Sequence, residues 1–193
     1  MEAITTNTKD IECAIRTILR YIGEDPDRDG LKGTPDRIIR MYKEIFRGYD
    51  STKKPKITTF PNEDGITSLV FDSGDYYSMC EHHILPFFGK YYFGYIPVEG
   101  GRILGISKVA RVVGYCAARL QLQERLAKDV IEMLSDALEG KAEGFAIMMR
   151  GKHLCKTMRG VKNDGLMTVT YLTGAFKNDA ELRKEFYSLC ERR

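Results

Sequence analysis

The 193 residues carry 43% hydrophobic and 30% charged side chains, the proportions of a soluble globular chain long enough to build its own core. Thirty Lys and Arg against 27 Asp and Glu leave a formal charge of +3, too even for a dedicated nucleic-acid binder, and no apolar run approaches the ~20 residues of a membrane span. The first twenty residues include Asp10 and Glu12 and do not read as a signal peptide; together with five cysteines, an odd number, this points to a reduced, cytoplasmic setting.

In chain order, Ile11, Ala14, Ile15, Ile18, Leu19 and Ile22 recur at helical spacing, predicting an amphipathic helix over 10–22. A charged loop follows over 23–33. A second helix is punctuated by Thr34 as N-cap, Pro35 at the first helical position and Gly48 past its end. Ile38, Ile39, Tyr42, Ile45 and Phe46 share one of its faces, and Arg37 and Arg40 fall on the other. Residues 51–56 read as a linker, dividing a small helical N-terminal region (1–56) from the remainder (57–193).

That remainder alternates. Strands are expected at 66–71, 76–80 and 87–96, where aromatic and β-branched residues are bounded by Gly, Asp and Pro. Ser107 caps a long helical stretch over 108–138, interrupted near Gln121 and ended by Gly140. Three more strands are expected at 145–149, 153–158 and 166–173. Asn178, with Glu181 three residues on, opens a closing helix towards Cys190. Paired strands with helices inserted between them predict an α+β architecture, an antiparallel sheet with helices on one face. The sheet's other face needs cover, and oligomerisation is the natural source.

All three histidines lie beside two of the five cysteines, in Cys80-Glu81-His82-His83 and His153-Leu154-Cys155. A lone histidine is usually a packed or solvated residue; the whole complement of a rare residue beside two thiols points to chemistry. Cys80 and His83 are spaced to chelate one ion from a strand end or turn, and only the fold could bring Cys155 to them. Thiolates with imidazole favour Zn²⁺ over Mg²⁺ or Ca²⁺. If His82 and His153 are kept for proton transfer, for which an unperturbed pKa of ~6.5 suits them, three ligands remain and a position stays open for water, whose pKa the ion lowers to about 7. A closed four-ligand site using His82 or His153, or a Cys80–Cys155 disulfide, stays open at this point. Neighbours in a strand face opposite ways, so His82 and His83 act together only if the chain turns there, which nearby Pro86 permits. Cys13, Cys116 and Cys190 fall on predicted helices and are expected to pack.

Ser107, Lys108 and Arg111 gather hydroxyl, ammonium and guanidinium groups on the first turn of a helix, where free N–H groups also attract anions. Arg37, Arg40 and Arg159 could extend that basic surface towards a triphosphate. No G-x-x-x-x-G-K-[ST] loop occurs, so this is not a P-loop protein. Glu124, within Gln121-Leu122-Gln123-Glu124-Arg125, offers a carboxylate that could accept two hydrogen bonds from guanine, although composition alone favours an exposed helix residue paired with a neighbouring Lys or Arg.

The segments Cys80-Glu81-His82-His83-Ile84-Leu85-Pro86-Phe87-Phe88-Gly89-Lys90, Ser107-Lys108, Gln121-Leu122-Gln123-Glu124-Arg125-Leu126 and His153-Leu154-Cys155-Lys156-Thr157-Met158-Arg159-Gly160-Val161 closely resemble the GTP cyclohydrolase I family, as does Gly30-Leu31-Lys32-Gly33-Thr34-Pro35-Asp36-Arg37. The resemblance spans roughly 23–189. It implies a tunnelling fold, assembled as a toroidal homodecamer of two pentamers with active sites between subunits. It also implies conversion of GTP and water to formate and 7,8-dihydroneopterin triphosphate, the first step towards tetrahydrofolate and other pterins. Carried over by position, Cys80, His83 and Cys155 would hold Zn²⁺, and His82 and His153 would be the acid/base pair. Glu124 with Gln123 would hold the guanine and ribose end. Ser107, Lys108, Arg111, Arg159, Arg37 and Arg40 would meet the triphosphate, some from neighbouring subunits.

Leu166 and Tyr171 depart from that pattern where serines are common, as do Ala118 for arginine and Ala127 for threonine; none is an expected ligand or proton carrier. Three rivals remain. A zinc nucleobase deaminase lacks support, because its H-x-E and P-C-x-x-C signatures are missing. A zinc-stapled, non-catalytic nucleotide-binding oligomer would bind GTP without consuming it. A tunnelling-fold relative acting on another purine or pterin would leave GTP largely untouched.

Overall fold

The computed structural model describes residues 7–192. They divide into two compact units, one ending at Arg47 and the other beginning at Gly48. No helix among the described residues is long and apolar enough to cross a membrane.

The first unit is a pair of helices. α1 (Thr8–Tyr21) starts at Asn7, whose side chain accepts the Lys9 N–H, and carries Asp10 in its first turn and Arg20 in its last, each sign matched to the helix dipole. α2 (Thr34–Ile45) places Pro35 in its first turn as expected, but its N-cap is Gly33, with no side-chain cap bond, so Thr34 already lies inside the helix. Ile15, Pro35 and Ile39 are buried, while Arg37 and Arg40 are exposed. Arg40 pairs with Asp36 one turn back at 2.9 Å. Cys13, expected to pack, is exposed: it falls on the outer face of α1.

Gly48 belongs to the second unit, and α2 ends at Ile45, so this glycine is no helix terminator. Its small size has another cause. A Cβ here would stand 2.4 Å from the Tyr115 carbonyl oxygen and 2.6 Å from that of Ala118, which accepts the Gly48 N–H.

The second unit is built on a five-stranded sheet. Its elements are β1 (Thr59–Pro61), β2 (Val70–Cys80), β3 (Pro86–Pro97), β4 (Arg102–Leu104), α3 (Lys108–Ala117), β5 (Leu120–Gln121), α4 (Gln123–Ala137), β6 (Ala142–His153), α5 (Leu154–Thr157), β7 (Met167–Leu172), α6 (Ala175–Asn178) and α7 (Ala180–Glu191). β1 and β4 pair apart; the large sheet runs β5-β2-β3-β6-β7, antiparallel except where β5 joins β2 at Met79 and Cys80. This mixed α+β arrangement fits the tunnelling-type fold that the resemblance implies.

Alternation along the strands separates two cores. Tyr91, Phe93, Tyr95, Phe145, Ile147 and Met149 face Val112, Val113, Leu126, Val130 and Leu134 of α3 and α4. The intervening Tyr92, Ala146 and Met148 pack against Phe176, Phe186 and Cys190 of α6 and α7. The C-terminal helices thus supply part of the cover that composition alone assigns to a partner. Among the described residues two edges stay open: β7 pairs with β6 alone, and along 70–78 β2 pairs with β3 alone.

Several boundaries differ from expectation. The strands expected at 66–71 and 76–80 are one strand, because residues Val70 to Met79 each face a partner on β3. The long helix does break near Gln121, as expected: α3 ends at Ala117, β5 takes Leu120–Gln121 and α4 begins at Gln123. The strand expected at 153–158 is not one. β6 runs through to His153, and then the chain coils into α5, with the Met158 N–H bonded to the Leu154 carbonyl. Asp179, not Asn178, caps α7, its carboxylate accepting the N–H groups of Glu181 and Leu182. Ala118 and Ala127, two of the departures from the family pattern, are buried.

Candidate metal centre and active site

β2 ends at Cys80, and the chain reverses at once into β3. The Cys80 N–H donates to the Leu85 carbonyl at 2.9 Å, and the Ile84 N–H donates back to the Cys80 carbonyl at 2.8 Å. Ile84 sits at φ +52° to close this turn. The turn frees His82 and His83 from strand alternation, with their rings 6.3 Å apart and 77° from coplanar. β6 flanks the other side of β3, and Cys155 rides on the first turn of α5 just beyond it. Two strands bordering a common neighbour therefore deliver two thiols to one end of the sheet.

The ligand atoms of Cys80, His83 and Cys155 lie within 4.8 Å of one another, so these three could hold a metal ion. All five cysteines are free thiols, which removes the disulfide alternative. Burial raises the Cys155 thiol pKa above its ordinary value, and the neighbouring Cys80 raises it further; a cation between the two sulfurs would oppose both effects. His82 Nδ1 stands 4.0 Å from Cys80 Sγ, and an Arg159 guanidinium nitrogen reaches His83 Nε2 at 2.8 Å.

His153 closes β6 directly across from Phe87. The two rings stack, with centroids 4.6 Å apart and planes 7° from parallel. Burial lowers the His153 pKa; the Glu124 charge opposes that shift and the Lys156 charge reinforces it. His153 Nε2 lies 2.8 Å from Gln123 Oε1. Gln123 begins α4 and is buried. Its amide nitrogen donates to the carbonyls of Met149 (2.8 Å) and Met167 (3.1 Å). The sequence expectation put Gln123 against the nucleoside. In the fold its side chain is fully engaged inside the protein, bridging β6, β7 and His153.

Glu124, the next residue, is exposed in the first turn of α4. Arg125 grips Glu81 through two hydrogen bonds of 2.6 and 3.2 Å, lashing α4 to the turn that carries the histidines, and it holds the Glu81 carboxyl below its ordinary pKa. Sequence reasoning passed over Glu81, Arg125 and Phe87. The Phe87 contact is set by strand register, which nothing local in the sequence encodes.

Of the expected phosphate-binding residues, Arg159 lies at this site, exposed just past α5 with its guanidinium on His83; the residues at the start of α3 do not. Ser107 occupies the N-cap of α3 but makes no side-chain cap bond, and Lys108 and Arg111 follow on the first turn. That end of α3 adjoins Leu104, whose N–H bonds the Tyr95 hydroxyl. Tyr95 is paired with Val70, whereas Pro86 is paired with Met79 beside Cys80. At ~3.3 Å per strand residue, Tyr95 and Pro86 are about 30 Å apart. Within one chain, the cations of α3 and the Cys/His cluster occupy opposite ends of the sheet. Arg37 and Arg40 belong to the first unit. Beside the α3 terminus, Val70, Phe71, Phe93, Tyr95, Ile106 and Val109 line a cavity of about 280 Å³.

Comparison with known proteins gives a consistent result. A family model described as GTP cyclohydrolase I matches residues 11–191. GTP cyclohydrolase 1 of Thermoanaerobacter pseudethanolicus is 46% identical over 180 residues, covering 93% of this chain and 94% of that protein. The protein of that name from Halalkalibacterium halodurans is 44% identical over 180 residues, with the same coverage. The one from Streptococcus agalactiae is 41% identical over 187 residues, covering 96% of this chain and 98% of that protein.

Proposed function

The chain belongs to the GTP cyclohydrolase I family and is an enzyme of that kind, and from that footing we propose that it hydrolyses GTP to formate and 7,8-dihydroneopterin triphosphate with the aid of zinc. The observation that carries this reading is the convergence of Cys80, His83 and Cys155 beside a second histidine, His153, that no other ligand role claims. Two thiols and an imidazole fit Zn²⁺ by donor type, and their spread suits an ion lying about 2.3 Å from sulfur and 2.0 Å from nitrogen. Bound there, zinc would supply a Lewis acid and render water nucleophilic near neutral pH.

The remaining work falls to the chain's own residues. His82 protonates N7 of the purine as water adds to C8 and the imidazole ring opens. After a second water hydrolyses the resulting formamide and C8 leaves as formate, His153 moves protons in the opening of the ribose and its rearrangement, before closure onto the freed amine with loss of water. Glu124 accepts from the N1–H and 2-amino edge of guanine, a pattern adenine cannot offer. Arg159, Arg37, Arg40, Ser107, Lys108 and Arg111 hold the triphosphate.

The α3 terminus adjoins Tyr95, nine residues along β3 from Pro86 beside the Cys/His cluster, a separation that favours contributions from more than one chain. We infer a site shared between subunits, in a toroidal decamer of two pentamers. Two open strand edges, along β7 and along 70–78 of β2, support such assembly. Residues 57–193 would form the catalytic domain and 1–56 a helical appendage. The setting would be cytoplasmic, with the product feeding tetrahydrofolate and other pterins.

Incubation with GTP and zinc tests the reading. Formate release, with pterin fluorescence after oxidation, is expected. GTP bound but not consumed, or turnover of another purine in its place, overturns it.

A further inference from the structure

We propose that Gln123 is a positioning residue for His153, fixing the imidazole in the tautomer that carries its proton on Nε2 and leaves Nδ1 as the lone-pair nitrogen. For turnover, this rests on His153 as the proton carrier described above; for ring geometry, it stands on the hydrogen bonds alone.

The argument follows the amide's valences. The Met149 and Met167 carbonyl oxygens only accept, so the Gln123 group facing them at 2.8 and 3.1 Å is the NH₂. The opposite edge of the amide, its oxygen, therefore faces His153 Nε2 at 2.8 Å. An amide oxygen only accepts, so that ring nitrogen must bear the proton. Flipping the amide would aim its oxygen at two carbonyl oxygens in a site 1% exposed to solvent, where unmatched polar groups are penalised most. Backbone strands thus dictate the amide, and the amide dictates the tautomer.

Two further contacts lock the arrangement. The stack on Phe87 holds the plane of the ring. Residue 151, between Met149 and His153 on β6, is a glycine, and a Cβ there would stand 2.8 Å from Gln123 Oε1 and 2.2 Å from the Tyr76 hydroxyl. β6 leaves room for the amide where any side chain would displace it.

The inference separates Gln123 from a substrate contact. A residue that grips the nucleoside acts through KM, whereas one that sets a proton carrier acts through kcat. In the zinc-loaded protein, Gln123→Leu is expected to keep its metal and its KM for GTP within about twofold, while kcat falls about 10²-fold, within the range one acid/base group supplies. Gln123→Glu, which keeps an acceptor for the His153 N–H and, protonated on its other oxygen, a donor to one of the two carbonyls, is expected to recover part of the loss. A raised KM with unchanged kcat overturns the proposal.

Histidine-selective ¹⁵N spectra of the holoprotein give a second readout that needs no turnover. The chain has three histidines, and the His153 signals are those absent from His153→Asn. A ring protonated at Nε2, turning into a mixture of tautomers in Gln123→Leu, is expected. A ring protonated at Nδ1, or a spectrum indifferent to the substitution, overturns the proposal. Should Gln123→Leu not fold, the wild-type spectrum and the Gln123→Glu variant decide. Should the wild type leave GTP unchanged, the proposed activity fails while the spectrum still settles the tautomer.

Discussion

At one end of the large sheet, Cys80, His83, Cys155, His153 and Gln123 converge from two strands, a turn and two helices of a single chain, locked by backbone hydrogen bonds and an aromatic stack. At the other end, Ser107 and Arg111 project from the α3 terminus into solvent, with Ile106 beside them 94% exposed. The first end is assembled by intrachain register and is complete as a cluster. The second holds Lys108 and Arg111 on the first turn of α3. In the proposed reading, chemistry at the first end and anion binding at the second become one site when another copy brings them together.

The comparison breaks most sharply at the thiols. Cys155→Ala is expected to lose bound zinc and formate production together, read by metal analysis and product assay; a variant that keeps both removes Cys155 from the cluster. Next in size, His153→Ala and His82→Ala should retain metal yet lose about 10²–10⁴-fold in kcat. Wild-type rates would strike either residue from the mechanism.

Lys108→Ala probes the other end. Losing one of several triphosphate contacts is expected to raise KM for GTP about tenfold, worth about 1.4 kcal/mol, with metal content unchanged. Mixing it with Cys155→Ala sharpens the test. Co-assembled from denatured chains, the two should yield some oligomers with intact sites and a recovery of activity beyond either alone. A mixture that performs only as the sum of its parts argues for a site within one chain.

The smallest effects are on stability, and here too the ends should differ. Gly151→Ala drives a methyl to 2.2 Å from Tyr76 Oη and 2.8 Å from Gln123 Oε1, and should cost about 1–3 kcal/mol, a drop of several degrees in Tm. Gly105→Ala, beside the α3 terminus, meets the Thr58 carbonyl at 3.2 Å and Lys108 Cγ at 3.4 Å, and should cost less. Equal losses in thermal melts would mean that the first end is no tighter than the second.

Much of the first end was legible in the chain itself, because chemistry concentrates rare residues: all three histidines beside two cysteines is a local signal. What could not be read was how far apart the parts lie. Ser107 and Lys108 are near Cys80 in sequence, yet α3 begins beside Tyr95, at the opposite limit of β3, and only strand length and pairing disclose that. Gln123 shows what register adds. Its type and place beside Glu124 suited a nucleoside contact, but its partners Met149 and Met167 lie on β6 and β7 and are fixed by packing. The strand expected at 153–158 failed similarly: its residues suit a strand, but the sheet ends at His153 and the freed backbone coils.

One residue in the turn between the ligands has a consequence of its own. Ile84 adopts a left-handed backbone that costs a β-branched residue of order 1–3 kcal/mol, and with its side chain 47% exposed packing recovers little of that. Glycine would relieve the penalty, yet it would also slacken the loop. An isoleucine forced into this shape works as a spring under tension. Directly after His83, it restricts the backbone angles open to that residue, at a cost in stability.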